Sequence, residues 1–227
     1  MGKRDDHSEH EHEHEHEEAE TSSAVEDAQK GAGGRRVFLF GRLENEVALP
    51  VIKRLLKLND RNKTEPIDLI INSAGGNGYN ADAIIATIYT IEAPVNTICY
   101  GHALSGACEI LASGTNVRAS YEFATLMFHQ TLWEADGDIT NLEIQARQGQ
   151  KFREAQIELL SRCTGQDRKQ IRKDIERDHY MSAQEALEYG IIDKIIRHDR
   201  VNRGLDLSIK AGKNSDFRRK TSHPGKR

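Results

Sequence analysis

Apolar and polar positions change period repeatedly between residues 36 and 196, and the changes come in a regular order. Residues 36–41, Arg-Val-Phe-Leu-Phe-Gly, form a short apolar run closed by glycine and read as a strand. Residues 46–58 place Val47, Val51, Leu55 and Leu58 at helical spacing. Pro50 suits only a first turn, so the regular helix is expected to begin near Leu49. A polar loop at 59–65 and Pro66 lead into a buried strand at 67–71. The stretch Asn72-Ser73-Ala74-Gly75-Gly76-Asn77-Gly78 then reads as a glycine-rich turn. A helix over 81–91 follows, with Ile84, Ile85, Ile88 and Ile91 on its buried face, and Pro94 stops it.

A strand at 95–100 runs into Gly101-His102-Ala103-Leu104-Ser105-Gly106, and a short apolar helix, 105–112, leads out. Residues 124–128 form another strand, ending at His129-Gln130. After a polar loop at 133–137, a long helical pattern covers 138–163 and stops at Gly165. A short basic helix at 167–173 follows. Ser182-Ala183-Gln184-Glu185 is a capping box that opens a helix over 183–189, capped by Gly190. The last strand is 191–196.

Strand and helix alternate, which predicts an α/β fold with a parallel sheet and right-handed crossovers. The two glycine-rich turns then lie at one edge, outside the carboxyl ends of the strands, where such folds hold ligands. The helix at 138–163 is longer than one domain face needs and carries apolar residues, so it is expected to protrude and make an oligomer contact.

Charge separates this middle from its flanks. Residues 1–30 hold eleven Asp and Glu against three Lys and Arg, and residues 197–227 hold ten Lys and Arg against three Asp. The expected organisation is an acidic His/Glu-rich tail with a glycine linker (1–35), one domain (36–197) and a basic tail (198–227), with both tails disordered. The alternating histidines of 7–16 could bind a transition metal loosely, but a solvated acidic tail is the favoured reading, and no metal site is assigned. No apolar run approaches ~18 residues and no secretory signal is present, so no membrane contact is expected. Cys99, Cys108 and Cys163 lie singly in apolar or helical segments and read as reduced thiols of a cytoplasmic protein. The basic tail lacks interleaved aromatics apart from Phe217, so no nucleic acid is expected.

Ser105 is the first candidate for chemistry. A serine among small residues at a strand-to-helix turn has an accessible hydroxyl and free neighbouring N–H groups, which a nucleophile and its oxyanion need. The same turn is also simply a tight turn. His129 at a strand end is a candidate general base. The cluster Asp174-Ile175-Glu176-Arg177-Asp178-His179 reads as a surface charge run, or as the source of a carboxylate that orients a histidine.

Together these residues resemble the proteolytic subunit of the Clp protease family. The resemblance covers about residues 36–196 and rests on Ile71-Asn72-Ser73-Ala74-Gly75-Gly76, on Thr97 through Ala107, on Leu126-Met127-Phe128-His129-Gln130, on Glu176 through Ala183 with Glu188-Tyr189-Gly190, and on Gly137 through Ile144. It implies repeated β-β-α (spiral) units shared with the related crotonase superfamily, plus a protruding handle helix. It implies Ser105 as nucleophile, His129 as base, Asp178 as the acid that orients it, and the N–H groups of Gly76 and Gly106 as the oxyanion hole. It also implies a homo-oligomer of two stacked heptameric rings, a tetradecamer, with the handle between rings and Glu176 and Arg177 pairing charges at that contact. Peptides and unfolded proteins are the implied substrates, an AAA+ unfoldase the implied partner, and no cofactor is implied.

The chain departs from the family pattern. Ala74 and Thr131 replace prolines, Leu104 replaces a small residue, and Gly106 replaces the usual methionine and is expected to loosen the oxyanion hole. Asp68 and Ile70 stand where aromatic docking residues are usual, and the axial N-terminal segment is not recognisable. Two alternatives stay open: a non-catalytic ring subunit, and a crotonase-like acyl-CoA enzyme.

Overall fold

The apolar runs become strands of one sheet, and the 3.6-period segments cover it. The computed structural model describes residues 34–197, so the two charged tails and the histidine run lie outside the described residues. In chain order the elements are β1 (Arg36–Leu43), α1 (Asn45–Arg61), β2 (Ile67–Gly76), α2 (Gly78–Thr90), β3 (Val95–Leu104), α3 (Gly106–Ala112) and β4 (Arg118–Tyr121). They continue with β5 (Thr125–Phe128), α4 (Ile139–Thr164), α5 (Arg168–Asp174), β6 (His179–Ser182), α6 (Ala183–Tyr189) and β7 (Lys194–Ile196).

Strands β1, β2, β3, β4 and β7 lie side by side, all parallel. β3 forks the sheet. Its first half, Thr97 to Cys99, pairs with β4, and its second half, His102 to Leu104, pairs with β5. β6 then runs antiparallel to β5, with Phe128 opposite His179. One main core joins sheet and helices, with Leu39, Leu55, Leu69, Ile84, Ile110 and Phe128 fully enclosed.

Tertiary packing shifts several expected boundaries. α1 begins at Asn45 rather than near Leu49, so Pro50 sits inside it. Burial of Val47 and Ala48 holds this first turn on the sheet, and the proline forfeits one hydrogen bond there. The stretch 72–76 is not a turn but the end of β2, which slips register against β3 between Ile71 and Ser73. β3 likewise runs four residues beyond its expected end at Tyr100, and the final strand is only Lys194–Ile196. β4 and β6 have no counterpart in the sequence reading. Each is four residues long, too short for a period to show.

α4 is 26 residues long, capped by the Asp138 side chain and by Gly165 at φ 77°. Only its second half is anchored, through buried Gln156, Ile157 and Leu160, while Ile139 and Ile144 near its start are exposed. Among the described residues no helix is long and apolar enough to cross a membrane.

Candidate active site

Three strand ends position the site. β3 delivers Ser105, β5 delivers His129, and Asp178 precedes β6. The pairing of Leu104 with Met127 and of Phe128 with His179 brings these ends together. Ser105 N–H donates to Met127 O at 2.8 Å, which fixes the nucleophile segment on β5.

Ser105 has φ 53° and ψ −131°, the one positive φ at a non-glycine residue among those described. Such backbone costs ~1–3 kcal/mol and persists only where its surroundings over-determine it. At this turn Ser105 stays partly exposed. His129 Nε2 lies 2.8 Å from Ser105 Oγ, and His129 Nδ1 lies 3.4 Å from Asp178 Oδ1. With the proton on Nδ1, facing the carboxylate, Nε2 is free to accept from the serine hydroxyl. The imidazole is largely buried at 16% exposure, whereas the Asp178 side chain is 57% exposed, so the acid is the loosest of the three.

The glycine stretch at the end of β2 lies against the nucleophile. A Cβ on Gly75 would fall 2.6 Å from Leu104 O and 2.8 Å from Ser105 Cβ, and its φ is +82°. Gly76, at φ +149°, packs on the Leu43 backbone. Gly106 opens α3, so its N–H has no intrahelical acceptor. The expected looseness at Gly106 is not found in its side-chain space. A Cβ there would meet Ala81 Cβ at 3.0 Å and Leu43 Cδ1 at 3.3 Å.

Gly75→Ala is therefore expected to disturb the site more than the fold. The methyl meets backbone oxygen rather than a flexible side chain, and φ stays strained at ~1–3 kcal/mol. The expected result is at least about a tenfold slower reaction of Ser105 with a phosphonate, with near-native far-UV circular dichroism. An unchanged rate would show that the contact does not constrain the nucleophile.

Two residues behind the triad were not singled out in the sequence. Gln156 of α4 donates through Nε2 to His129 O at 2.8 Å and to Glu109 Oε1 of α3 at 2.7 Å. Burial pushes the Glu109 carboxyl up to about 7, opposed by the Gln156 bond and reinforced by Asp82. The available signal was a lone glutamate in the apolar run Ala-Cys-Glu-Ile-Leu.

Glu176 and Arg177 sit beside the acid segment. Glu176 Oε2 accepts from Arg153 Nη2 of the same chain at 2.9 Å, and Arg177 Nη1 donates to Glu176 O at 2.9 Å. The three cysteines are free. Burial pushes the Cys99 thiol up to about 12 and raises that of Cys108, so neither competes as a nucleophile. Among the described residues no group of three or more His, Cys, Asp or Glu is placed to hold a metal.

Comparison with known proteins adds two findings. The family model described as Clp protease matches residues 19–199. The ATP-dependent Clp protease proteolytic subunit of Deinococcus radiodurans is 34% identical over 171 residues, covering 75% of this chain and 84% of that protein.

Proposed function

The chain belongs to the Clp protease family, and from that premise we propose that Ser105, His129 and Asp178 carry its serine endopeptidase activity. The observation that carries the assignment is the 2.8 Å approach of His129 Nε2 to Ser105 Oγ. Ser105 Oγ attacks the scissile carbonyl while His129 Nε2 takes its proton. Asp178 stabilises the imidazolium that results. The N–H groups of Gly76 and Gly106 face the oxyanion of the tetrahedral intermediate, where each such donor is worth ~3 kcal/mol. His129 then protonates the leaving amine, and water hydrolyses the acyl-enzyme on Ser105.

Oligomeric assembly and association with Clp ATPases go with the family. The finer reading is two stacked heptameric rings with α4 between them, enclosing the active sites and admitting unfolded polypeptide from an AAA+ unfoldase. Exposed Ile139 and Ile144 on α4 support that contact. In this reading Glu176 and Arg177 belong to the same contact, next to Asp178, so that assembly and triad geometry are coupled there. The domain is residues 36–197, flanked by the two tails. Free cysteines suit a reducing, cytoplasmic setting.

The test is intact-mass spectrometry after fluorophosphonate treatment of the wild type and Ser105→Ala. One adduct, lost in the variant, is the expected result. No adduct in a folded, ring-sized assembly would overturn the catalytic reading in favour of a non-catalytic ring subunit. An acyl-CoA enzyme of crotonase type needs no activated serine and would also remain unlabelled.

A further inference from the structure

Glu109 is the buried ionisable group that the triad does not use. It lies in α3, one helical turn beyond Ser105, and is 7% exposed. Among the described residues no Lys, Arg or His forms an ion pair with it. Of the elements packed on α3, helix α2 presents Asp82 and α4 presents Gln156, while β2, β3 and β5 bring no charge that acts on it. A carboxylate in such a place has lost its hydration, with one amide in return.

Gln156 leaves one buried polar atom of the site unanswered. The His129 carbonyl can only accept, so the amide must turn Nε2 toward it. The second Nε2 hydrogen goes to Glu109 Oε1. Both donors are then used, and Gln156 Oε1 is buried with no partner. A buried amide oxygen of this kind calls for a donor, and the carboxyl already bonded to the same amide becomes one when protonated.

We propose that Glu109 is a neutral carboxylic acid that donates its proton to Gln156 Oε1, closing an acid–amide pair that positions His129 for Ser105. This rests on the reading of His129 as the general base. Glu109 is a positioning residue, since it touches neither substrate nor the reacting atoms. Its action runs through one bond, from Gln156 Nε2 to His129 O, and the next residue is anchored independently, Gln130 N–H donating to Ile175 O at 2.7 Å. Ionising Glu109 removes the donor and sets a negative charge beside Gln156 Oε1. The Nε2 donor is then drawn to the charged carboxylate, Gln156 Oε1 is left buried without a donor, and the bond from Nε2 to His129 O weakens. Burial pushes the carboxyl up to about 7, so the change falls around neutral pH.

The sign of the pH effect follows. Deprotonating Glu109 weakens the hold on His129 and lowers kcat/KM as pH increases, giving a descending limb. Glu109→Gln keeps the shape, the acceptor and the donor, and cannot ionise.

The experiment uses the assembled wild-type protein, Glu109→Gln and Glu109→Leu. Infrared difference spectra, wild type minus Glu109→Gln, are expected to show a carboxylic acid C=O band below neutral pH that disappears at alkaline pH. The pH profile of kcat/KM on a fluorogenic peptide is expected to fall about tenfold on its alkaline limb in the wild type and to stay level in Glu109→Gln. Glu109→Leu is expected to lower kcat about ten- to a hundredfold across the profile with little change in KM. Absence of the acid band below neutral pH would overturn the proposal, as would a descending limb that persists in Glu109→Gln while Ser105 still takes the phosphonate. If Ser105 takes no phosphonate in any variant, the peptidase reading fails instead, and the infrared band alone decides the state of Glu109.

Discussion

Replacing Ser105 by alanine is expected to lower kcat for peptide hydrolysis by about 10⁴–10⁶-fold, the loss found when a triad nucleophile is removed. The hydroxyl is the only atom taken away, and alanine adopts the same strained turn at the same cost. The fold therefore persists while the covalent route disappears. What is left would come from the proposed oxyanion donors and from peptide binding. His129→Ala is expected to cost about as much, because Ser105 Oγ at 2.8 Å then has no base. The double variant is expected to lose little more, since the two residues act as one unit. Asp178→Asn is expected to cost less, on the order of 10²–10³-fold, because the acid is more than half exposed and 3.4 Å from Nδ1. Steady-state hydrolysis of a fluorogenic peptide decides the matter. A Ser105→Ala protein retaining wild-type turnover would end the triad assignment.

The second large effect concerns stability. Asp193→Ala is expected to destabilise the domain by about 3–5 kcal/mol, because it strands a buried guanidinium. Arg118 of β4 is 9% exposed and meets Asp193 with Nη2 to Oδ1 at 2.6 Å and Nε to Oδ2 at 3.0 Å. The Arg118 backbone N–H also donates to Asp193 Oδ2 at 3.0 Å, and Nη1 donates to Cys163 O at 2.7 Å. One side chain thus ties β4, the approach to β7 and the end of α4. The loss is a large share of a total stability of ~5–15 kcal/mol. It corresponds to a drop in Tm of roughly 6–20 °C for a domain of this size. Adding Arg118→Met to Asp193→Ala removes the stranded charge and is expected to restore part of the loss. Thermal unfolding at one fixed protein concentration is the measurement, since assembly also contributes to Tm. A drop under about 2 °C would mean that water reaches the guanidinium and the pair is not a buried one.

Ser105 and His129 could be read from the chain because each ends an apolar run long enough to show its period. The Ser182 capping box and the Gly190 cap were equally plain, since both are local chemistry. Asp178 was not. Its segment reads as surface charge, and only the pairing of β6 with β5 turns it toward His129. That pairing is tertiary, and β6 is four residues long. The resemblance to a family supplied the role that the residues alone left open. Gly75 was visible as a flexible residue but not as one pressed against Ser105. Glu109 and Gln156 lie 47 residues apart, so the bond between them left no mark on either local pattern. Pro50 misled in the other direction, because a local penalty was outweighed by the burial of Val47 and Ala48.

The fork at β3 also sets an order in time. Ser105 and His129 are brought together by a pairing with a short span, whereas Asp178 arrives only when β6 closes an excursion that contains all of α4 and α5. Long-span pairings form late in folding, because the chain must first surrender the entropy of closing the loop. A nascent chain therefore holds its serine and histidine side by side before the acid that orients them is in place. The acid thus joins the serine and histidine only when the β5–β6 pairing is made.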